Sequence, residues 1–317
     1  MTKWSASAPA NIALIKYMGK TDVHNNIPSN ASLSYTLDHL RSTVELESYA
    51  GLSDRWEPLA NAQGKLLQLN EQAQQRYLKH LAMLKQHFGF AGHFIVRSNN
   101  NFPHNAGIAS SASSYAALTL CACQALSELM HKPLPYLGEQ ARLSAKGSGS
   151  SCRSFFQPWA IWQEDNISGL ELPYKQLLHQ VIIVEKQTKA VSSSEAHQRV
   201  SSSLLFAGRP ARAETRLAEL LTSLKTQDWQ RSFELVWQEF WDMHALFETS
   251  NPSFGYLTAD TLTVLSHVKN LWQQQADGPL VTIDAGPNVH LLFRPEQINL
   301  MKQIAEELSQ FHIRAAN

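Results

Sequence analysis

The chain has 317 residues, 44% of them hydrophobic and 17% charged, which supports a sizeable apolar core and excludes a disordered polymer. Lysine plus arginine equals aspartate plus glutamate at 27 each, so the overall balance recruits neither nucleic acid nor an anionic membrane, and an anionic ligand has to be met by local positive charge. Three cysteines, Cys121, Cys123 and Cys152, are too few and too irregular for a disulfide framework or a zinc site and read as buried thiols.

The first residues, Met1-Thr2-Lys3-Trp4-Ser5-Ala6, lack the continuous apolar run of a signal peptide. No later stretch approaches bilayer-spanning length, so a cytoplasmic protein is expected. Between residues 30 and 47, Leu33, Tyr35 and Leu37, then Val44 and Leu46, alternate with polar residues as half-buried strands do. Leu78, Leu81, Leu84 and Phe88 recur at helical spacing and predict a helix over 71–88. A strand over 93–97 follows, then an asparagine-rich turn. Helices are predicted over 111–129 and 137–145, separated by Lys132-Pro133-Leu134-Pro135 because proline disrupts a helix interior. The apolar run 181–185 reads as a buried strand and the serine-rich stretch 188–203 as a loop between two domains, divided at 1–183 and 184–317. Beyond it come helices over 229–247 and 257–272, strands over 280–283 and 289–293, and a last helix over 296–311. His197, His244 and His290 read as ordinary core or surface histidines, since no carboxylates at ligand spacing surround them.

Four stretches carry candidate chemistry. Asn11-Ile12-Ala13-Leu14-Ile15-Lys16-Tyr17-Met18-Gly19-Lys20 ends an apolar run with two lysines, which are either solvated surface charges or a site for phosphate or carboxylate. Asn101-Phe102-Pro103, continuing through Gly107-Ile108-Ala109-Ser110-Ser111-Ala112 into an alanine-rich helix, leaves unpaired N–H groups at a helix start, a cradle for phosphate; ordinary serine N-caps are the plainer reading. Lys146-Gly147-Ser148-Gly149-Ser150-Ser151-Cys152-Arg153 combines glycines that let a backbone approach a ligand, serine hydroxyls, and an arginine able to grip a carboxylate or phosphate bidentately; a flexible linker is the plainer reading, against which the apolar continuation Ser154-Phe155-Phe156 speaks. Ile283-Asp284-Ala285-Gly286-Pro287-Asn288 puts an aspartate at the end of a strand, where it either bonds its own turn or faces the lysines as base or orienting group.

Together these four stretches resemble the diphosphomevalonate decarboxylase family of the GHMP kinase superfamily, in the family's order and over nearly the whole chain; Ile27-Pro28-Ser29-Asn30-Ala31-Ser32-Leu33-Ser34 matches as well. The resemblance implies an α+β fold: an N-terminal domain like ribosomal protein S5 domain 2, a ferredoxin-like C-terminal domain, and an active site between them. It implies ATP with Mg2+ as co-substrate, phosphorylation of the C3 hydroxyl of (R)-5-diphosphomevalonate, and loss of phosphate and carbon dioxide to give isopentenyl diphosphate. Asp284, Lys16 and Arg153 take the catalytic positions. Tyr17, Met18, Gly19, Lys20, Arg76, Ser148, Gly149, Ser150, Ser193 and Ser194, with Arg153, fall on the substrate pocket. Ser98, Asn100, Pro103, Gly107, Ala109, Ser110, Ser111 and Ala112 fall on the nucleotide side, with magnesium near Ser111. A homodimer acting on a small molecule, with no nucleic acid or membrane partner, is implied with them. Met18 stands in place of the family's tryptophan, His104-Asn105 in place of Thr-Ala, Gln157-Pro158 in place of paired glycines, and Ser194 where bacterial relatives often carry arginine. The resemblance leaves open a mevalonate 3-kinase, a phosphomevalonate decarboxylase, or an inactive nucleotide-binding relative.

Overall fold

The computed structural model describes residues 2–22, 26–102, 110–185 and 190–316. The chain opens with β1 (Lys3–Ile15), β2 (Lys20–Asp22), β3 (Ile27–Pro28), β4 (Ser32–Tyr49) and β5 (Arg55–Pro58), followed by α1 (Glu71–Phe88), β6 (His93–Asn100), α2 (Ser110–Leu129) and α3 (Leu137–Gly147). A 3-10 turn over Gly149–Phe155 leads to β7 (Trp159–Gln163), β8 (Asn166–Leu170) and β9 (Leu178–Ile183). Then come α4 (Ser193–Arg199), α5 (Arg209–Lys225), α6 (Trp229–Glu248), α7 (Ala259–Gln275), β10 (Leu280–Ile283), β11 (Val289–Phe293), α8 (Ile298–Glu307) and β12 (His312–Ala316).

Among the described residues two larger sheets and a small antiparallel β2-β3 pair organise these strands, giving the α+β class read from the sequence. In the first, the order is β5-β6-β4-β7-β8 with β1 paired along β4, and only the β5–β6 contact is parallel. The second runs β10-β11-β9-β12, antiparallel throughout. Since β9 is held between β11 and β12, the chain passes from one sheet to the other between Leu170 and Leu178; the position after Ile183 is the far end of a second-sheet strand.

The first half of β1 mixes exposed and buried residues, as expected of a strand with one wet face, but from Ala8 to Ile15 every residue is buried. That change has a physical cause: Ala10, Ile12, Leu14 and Ile15 join the core of the second sheet, alongside Val181, Ile183, Leu280, Val289, Leu291 and Phe240. The Thr282 hydroxyl donates to the Ala13 carbonyl at 3.0 Å, tying β10 to β1. One strand is thereby shared by both halves, and truncating Ile12 to alanine would cost about 2–5 kcal/mol. On the other side of the first sheet, α1, α2 and α3 bury Leu81, Leu84, Leu118, Cys121, Cys123 and Leu143 against Val44, Leu46, Phe94 and Val96, so these thiols are core residues as expected.

Two sequence expectations change. The stretch 188–203 is not all loop: Ser192 caps α4, its hydroxyl accepting from Glu195 N at 3.2 Å, and Ala196 and Val200 bury against Met18, Met243 and Phe247. Tertiary packing rather than propensity makes this short helix. The predicted helix over 296–311 ends early, and the chain finishes as β12, which pairs with β9.

Candidate active site

A cavity of about 420 Å3 lies where the end of β1, the starts of α2 and α4, the 3-10 turn and the turn after β10 converge. Lys16 follows directly on β1 and is buried, with its Nζ donating to Asp284 Oδ1 at 2.7 Å. Its peptide is held from three sides: Lys16 N–H donates to Glu239 Oε1 at 2.9 Å, and its carbonyl accepts from Asn30 Nδ2 at 2.9 Å and Arg209 Nη2 at 3.2 Å. Burial lowers the Lys16 pKa from its ordinary 10.5; Asp284 and Glu239 oppose that shift and Arg153 adds to it.

Asp284 reaches the cavity because β10 ends at Ile283 and the chain turns sharply, with Gly286 N–H donating to the Asp284 carbonyl at 2.7 Å. The turn is anchored by Asn288, whose Oδ1 accepts from Val184 N at 2.9 Å. The Asp284 side chain remains 30% exposed, so it is open to a ligand while Lys16 beside it is 2% exposed.

Arg153 comes from the 3-10 turn and is also buried; Nη1 donates to Ser32 Oγ at 2.7 Å, and Nε has no hydrogen-bond partner among the described residues. A buried guanidinium N–H without a partner is costly, so a carboxylate brought here is welcome. Burial also lowers its pKa from the usual 12.5. Asn11 fixes this turn, its Nδ2 donating to Ser150 O at 3.1 Å and Ser154 Oγ at 2.8 Å. Gly149 must be glycine because a Cβ there would lie 2.5 Å from the Tyr17 ring.

At one side of the cavity Lys20 Nζ donates to Asn26 Oδ1 at 2.6 Å, and Asn26 Nδ2 in turn donates to the Ala145 and Lys146 carbonyls at 2.9 Å each. Burial and the nearby Arg76 charge lower the Lys20 pKa. Arg76 Nη2 donates to Ser194 Oγ at 3.4 Å, and Ser148, Ser150 and Ser193 stand around them. Two lysines and two arginines with few acids define a pocket for an anion. Ser110 and Ser111 line the same cavity at the start of α2, which carries no acidic residue in its first turn, so its N-terminal N–H groups suit a phosphate.

The structure therefore brings Asp284, Lys16, Arg153, Tyr17, Met18, Lys20, Arg76, Ser148, Gly149, Ser150, Ser193, Ser194, Ser110 and Ser111 to one cavity. Gly19 sits beside it with φ of +91°, its N–H donating to His197 Nδ1 at 3.1 Å. Three nucleotide-side residues stand elsewhere. Ser98 Oγ accepts from Trp56 Nε1 at 2.8 Å, Asn100 Oδ1 accepts from Ser42 Oγ at 2.7 Å, and Ala112 is buried in α2. Pro103, Gly107 and Ala109 lie outside the described residues.

His197 and Met243, which also line the cavity, carry no signal in the sequence that would place them there. His197 packs on Tyr17 with ring centroids 4.3 Å apart, and burial with the Lys20 and Arg153 charges lowers its pKa to about 3, so its imidazole is neutral. Met243 and Ala285 form the apolar floor with Met18. Asn11 and Ala285 are signalled only by standing in the same motifs as Lys16 and Asp284.

Residues 8–170 match the model of the diphosphomevalonate decarboxylase-like N-terminal domain, and residues 180–315 that of the mevalonate 5-diphosphate decarboxylase C-terminal domain. The chain is 30% identical over 334 residues to a diphosphomevalonate decarboxylase of Schizosaccharomyces pombe, covering 94% of this chain and 80% of that one. It is similar to the crystal structure of a mevalonate diphosphate decarboxylase from Legionella pneumophila, with 50% identity and a TM-score of 0.94, covering 99% of this chain and 100% of that one. A structure described as MDDEF in complex with MVAPP, AMPPCP and magnesium shares 27% identity and a TM-score of 0.87, covering 99% of each chain.

Proposed function

The chain belongs to the diphosphomevalonate decarboxylase family, with its GHMP kinase fold, and on that premise we propose how its cavity carries out the family's reaction. The reaction is ATP-dependent decarboxylation of (R)-5-diphosphomevalonate to isopentenyl diphosphate, with ADP, phosphate and CO2, in the mevalonate route to isoprenoids. The observation that carries the assignment of roles is the 2.7 Å contact between Lys16 Nζ and Asp284 Oδ1 in a cavity that Arg153 also lines.

Asp284 orients the tertiary C3 hydroxyl and takes its proton as the oxygen attacks the γ-phosphorus of ATP, releasing ADP. Lys16 balances the charge of the transferring phosphoryl group. The C3–O bond then breaks with phosphate leaving, and positive character builds at C3. Electrons of the C–CO2 bond form the alkene as CO2 departs, so no organic electron sink is needed. Arg153 holds the substrate carboxylate until that bond breaks. Lys20, Arg76, Tyr17, Ser148, Gly149, Ser150, Ser193 and Ser194 receive the diphosphate, while Gly19 and Met18 shape the wall between the two ends.

ATP enters at Ser110 and Ser111. Magnesium, where bound, would be held mainly by the ATP phosphates and water near Ser111 and would offset their charge. We propose the domain division between Leu170 and Leu178, where the chain changes sheet, in place of the 1–183 and 184–317 division expected from the sequence. A homodimeric, cytoplasmic protein is proposed from family likeness; among the described residues no helix is long and apolar enough to cross a membrane.

The test is purified protein with magnesium, ATP and each of mevalonate, its 5-phosphate and its 5-diphosphate, following ADP and CO2 together. CO2 in step with ADP from the diphosphate alone is expected. ADP without CO2 would make the protein a kinase, and CO2 from the monophosphate would change the substrate.

A further inference from the structure

Arg209 on α5 and Glu239 on α6 are both 0% exposed and joined by two hydrogen bonds, Nη2 to Oε1 and Nη1 to Oε2. Arg209 Nη1 also reaches Asp242 Oδ2 at 2.9 Å, and Arg216 Nη1 reaches Glu239 Oε2 at 3.0 Å. Burying such charges is poor evidence of added stability, because apolar residues of similar volume often serve as well or better. The pair needs another account.

That account lies in what it does with its remaining hydrogen-bonding capacity. Glu239 Oε1 accepts the Lys16 N–H, and Arg209 Nη2 donates to the Lys16 carbonyl. The two helices thus grip both ends of the residue whose Nζ meets Asp284. We propose that Glu239 and Arg209 are positioning residues for Lys16, fixing its peptide so that Nζ reaches Asp284, with Glu239 supplying a second negative charge for the buried ammonium. This rests on the reading of Lys16 and Asp284 as the catalytic pair. Three charged groups bear on the Lys16 ammonium: Asp284 from the turn after β10, Glu239 from α6 and Arg153 from the 3-10 turn; Arg209 from α5 holds the Lys16 carbonyl. Burial pulls the ammonium toward deprotonation and Glu239 opposes it. Removing that charge therefore leaves Lys16 neutral at a lower pH.

Two variants separate grip from charge. Glu239→Gln keeps an oxygen for the Lys16 N–H and loses the charge. Its kcat is expected to fall, with the basic limb of the kcat–pH profile moving to lower pH because the opposing Glu239 charge is gone. Arg209→Lys keeps the charge and loses the fork that spans Glu239 and the Lys16 carbonyl. Its kcat is expected to fall roughly tenfold to a hundredfold at unchanged KM, with the basic limb where the wild type has it. Both are compared at matched folding, checked by circular dichroism. Folded variants with wild-type kcat and wild-type limbs overturn the proposal, and where Glu239→Gln does not fold, Arg209→Lys decides. Wild-type enzyme that releases CO2, and Lys16→Met that does not, show that the catalytic reading stands when only this proposal fails.

Discussion

Lys16 and Asp284 are 268 residues apart in the chain, yet their side chains meet at 2.7 Å. The contact joins a buried amine to a carboxylate that a ligand can still reach, so the two respond differently to substitution.

Asp284→Asn keeps the size of the side chain and one oxygen able to accept from Lys16 Nζ, and removes its charge and basicity. Turnover is expected to fall by roughly two to four orders of magnitude with ATP affinity unchanged, read by steady-state kinetics and calorimetric titration. A variant with full turnover would count against Asp284 as base.

Arg76→Ala removes a charge beside Lys20 and the hydrogen bond to Ser194 without touching the Lys16–Asp284 pair. A charge-assisted hydrogen bond is worth about 1.5–3 kcal/mol, so KM for the diphosphate is expected to rise roughly ten- to hundredfold at near-constant kcat. A selective loss of kcat would place Arg76 elsewhere in the reaction.

Gly19→Ala is strained twice over. The backbone has φ of +91°, and the new Cβ would lie 2.5 Å from Phe206 Cε2 and 2.8 Å from Ser29 Oγ. About 1–3 kcal/mol of stability is expected to be lost. Because Gly19 N–H also holds neutral His197, KM for the diphosphate is expected to rise with the fall in Tm. A wild-type Tm would show that Phe206 moves aside at no cost.

Stability toward acid depends on Asp242. Burial alone would lift its carboxyl, but hydrogen bonds from Arg212 and Arg216 and the Arg209 charge outweigh that and hold it at about 2 against a usual 3.8. A depressed carboxylate stabilises the fold above its unfolded pKa, and this contribution is lost as pH falls from 3.8 through 2. After solvent screening it is on the order of 1 kcal/mol. Denaturant midpoints measured across that window are expected to fall more steeply in the wild type than in Asp242→Asn; parallel curves would rule this out.

Much of the site is legible in the sequence because its residues sit in local motifs. Lys16, Arg153 and Asp284 each follow or occupy a glycine- or serine-bearing turn next to an apolar strand or helix, and the family resemblance sets their order. Glu239 and Arg209 lie in amphipathic helices with nothing to separate them from surface charges, and only the fold directs them at Lys16. His197 sits in a serine-rich stretch whose helix forms because Ala196 and Val200 find a core built from distant residues. The same holds for β12, which becomes a strand only because β9 offers it an edge.

The strand that delivers Lys16 is hydrogen-bonded along β4 and packed into the apolar interior of the other half. Neither half can melt by itself and leave the lysine in register. Heat inactivation and the calorimetric endotherm are thus bound to a common temperature, and a gene cut between the sheets yields two fragments, one of them with bare isoleucines where its neighbour had been.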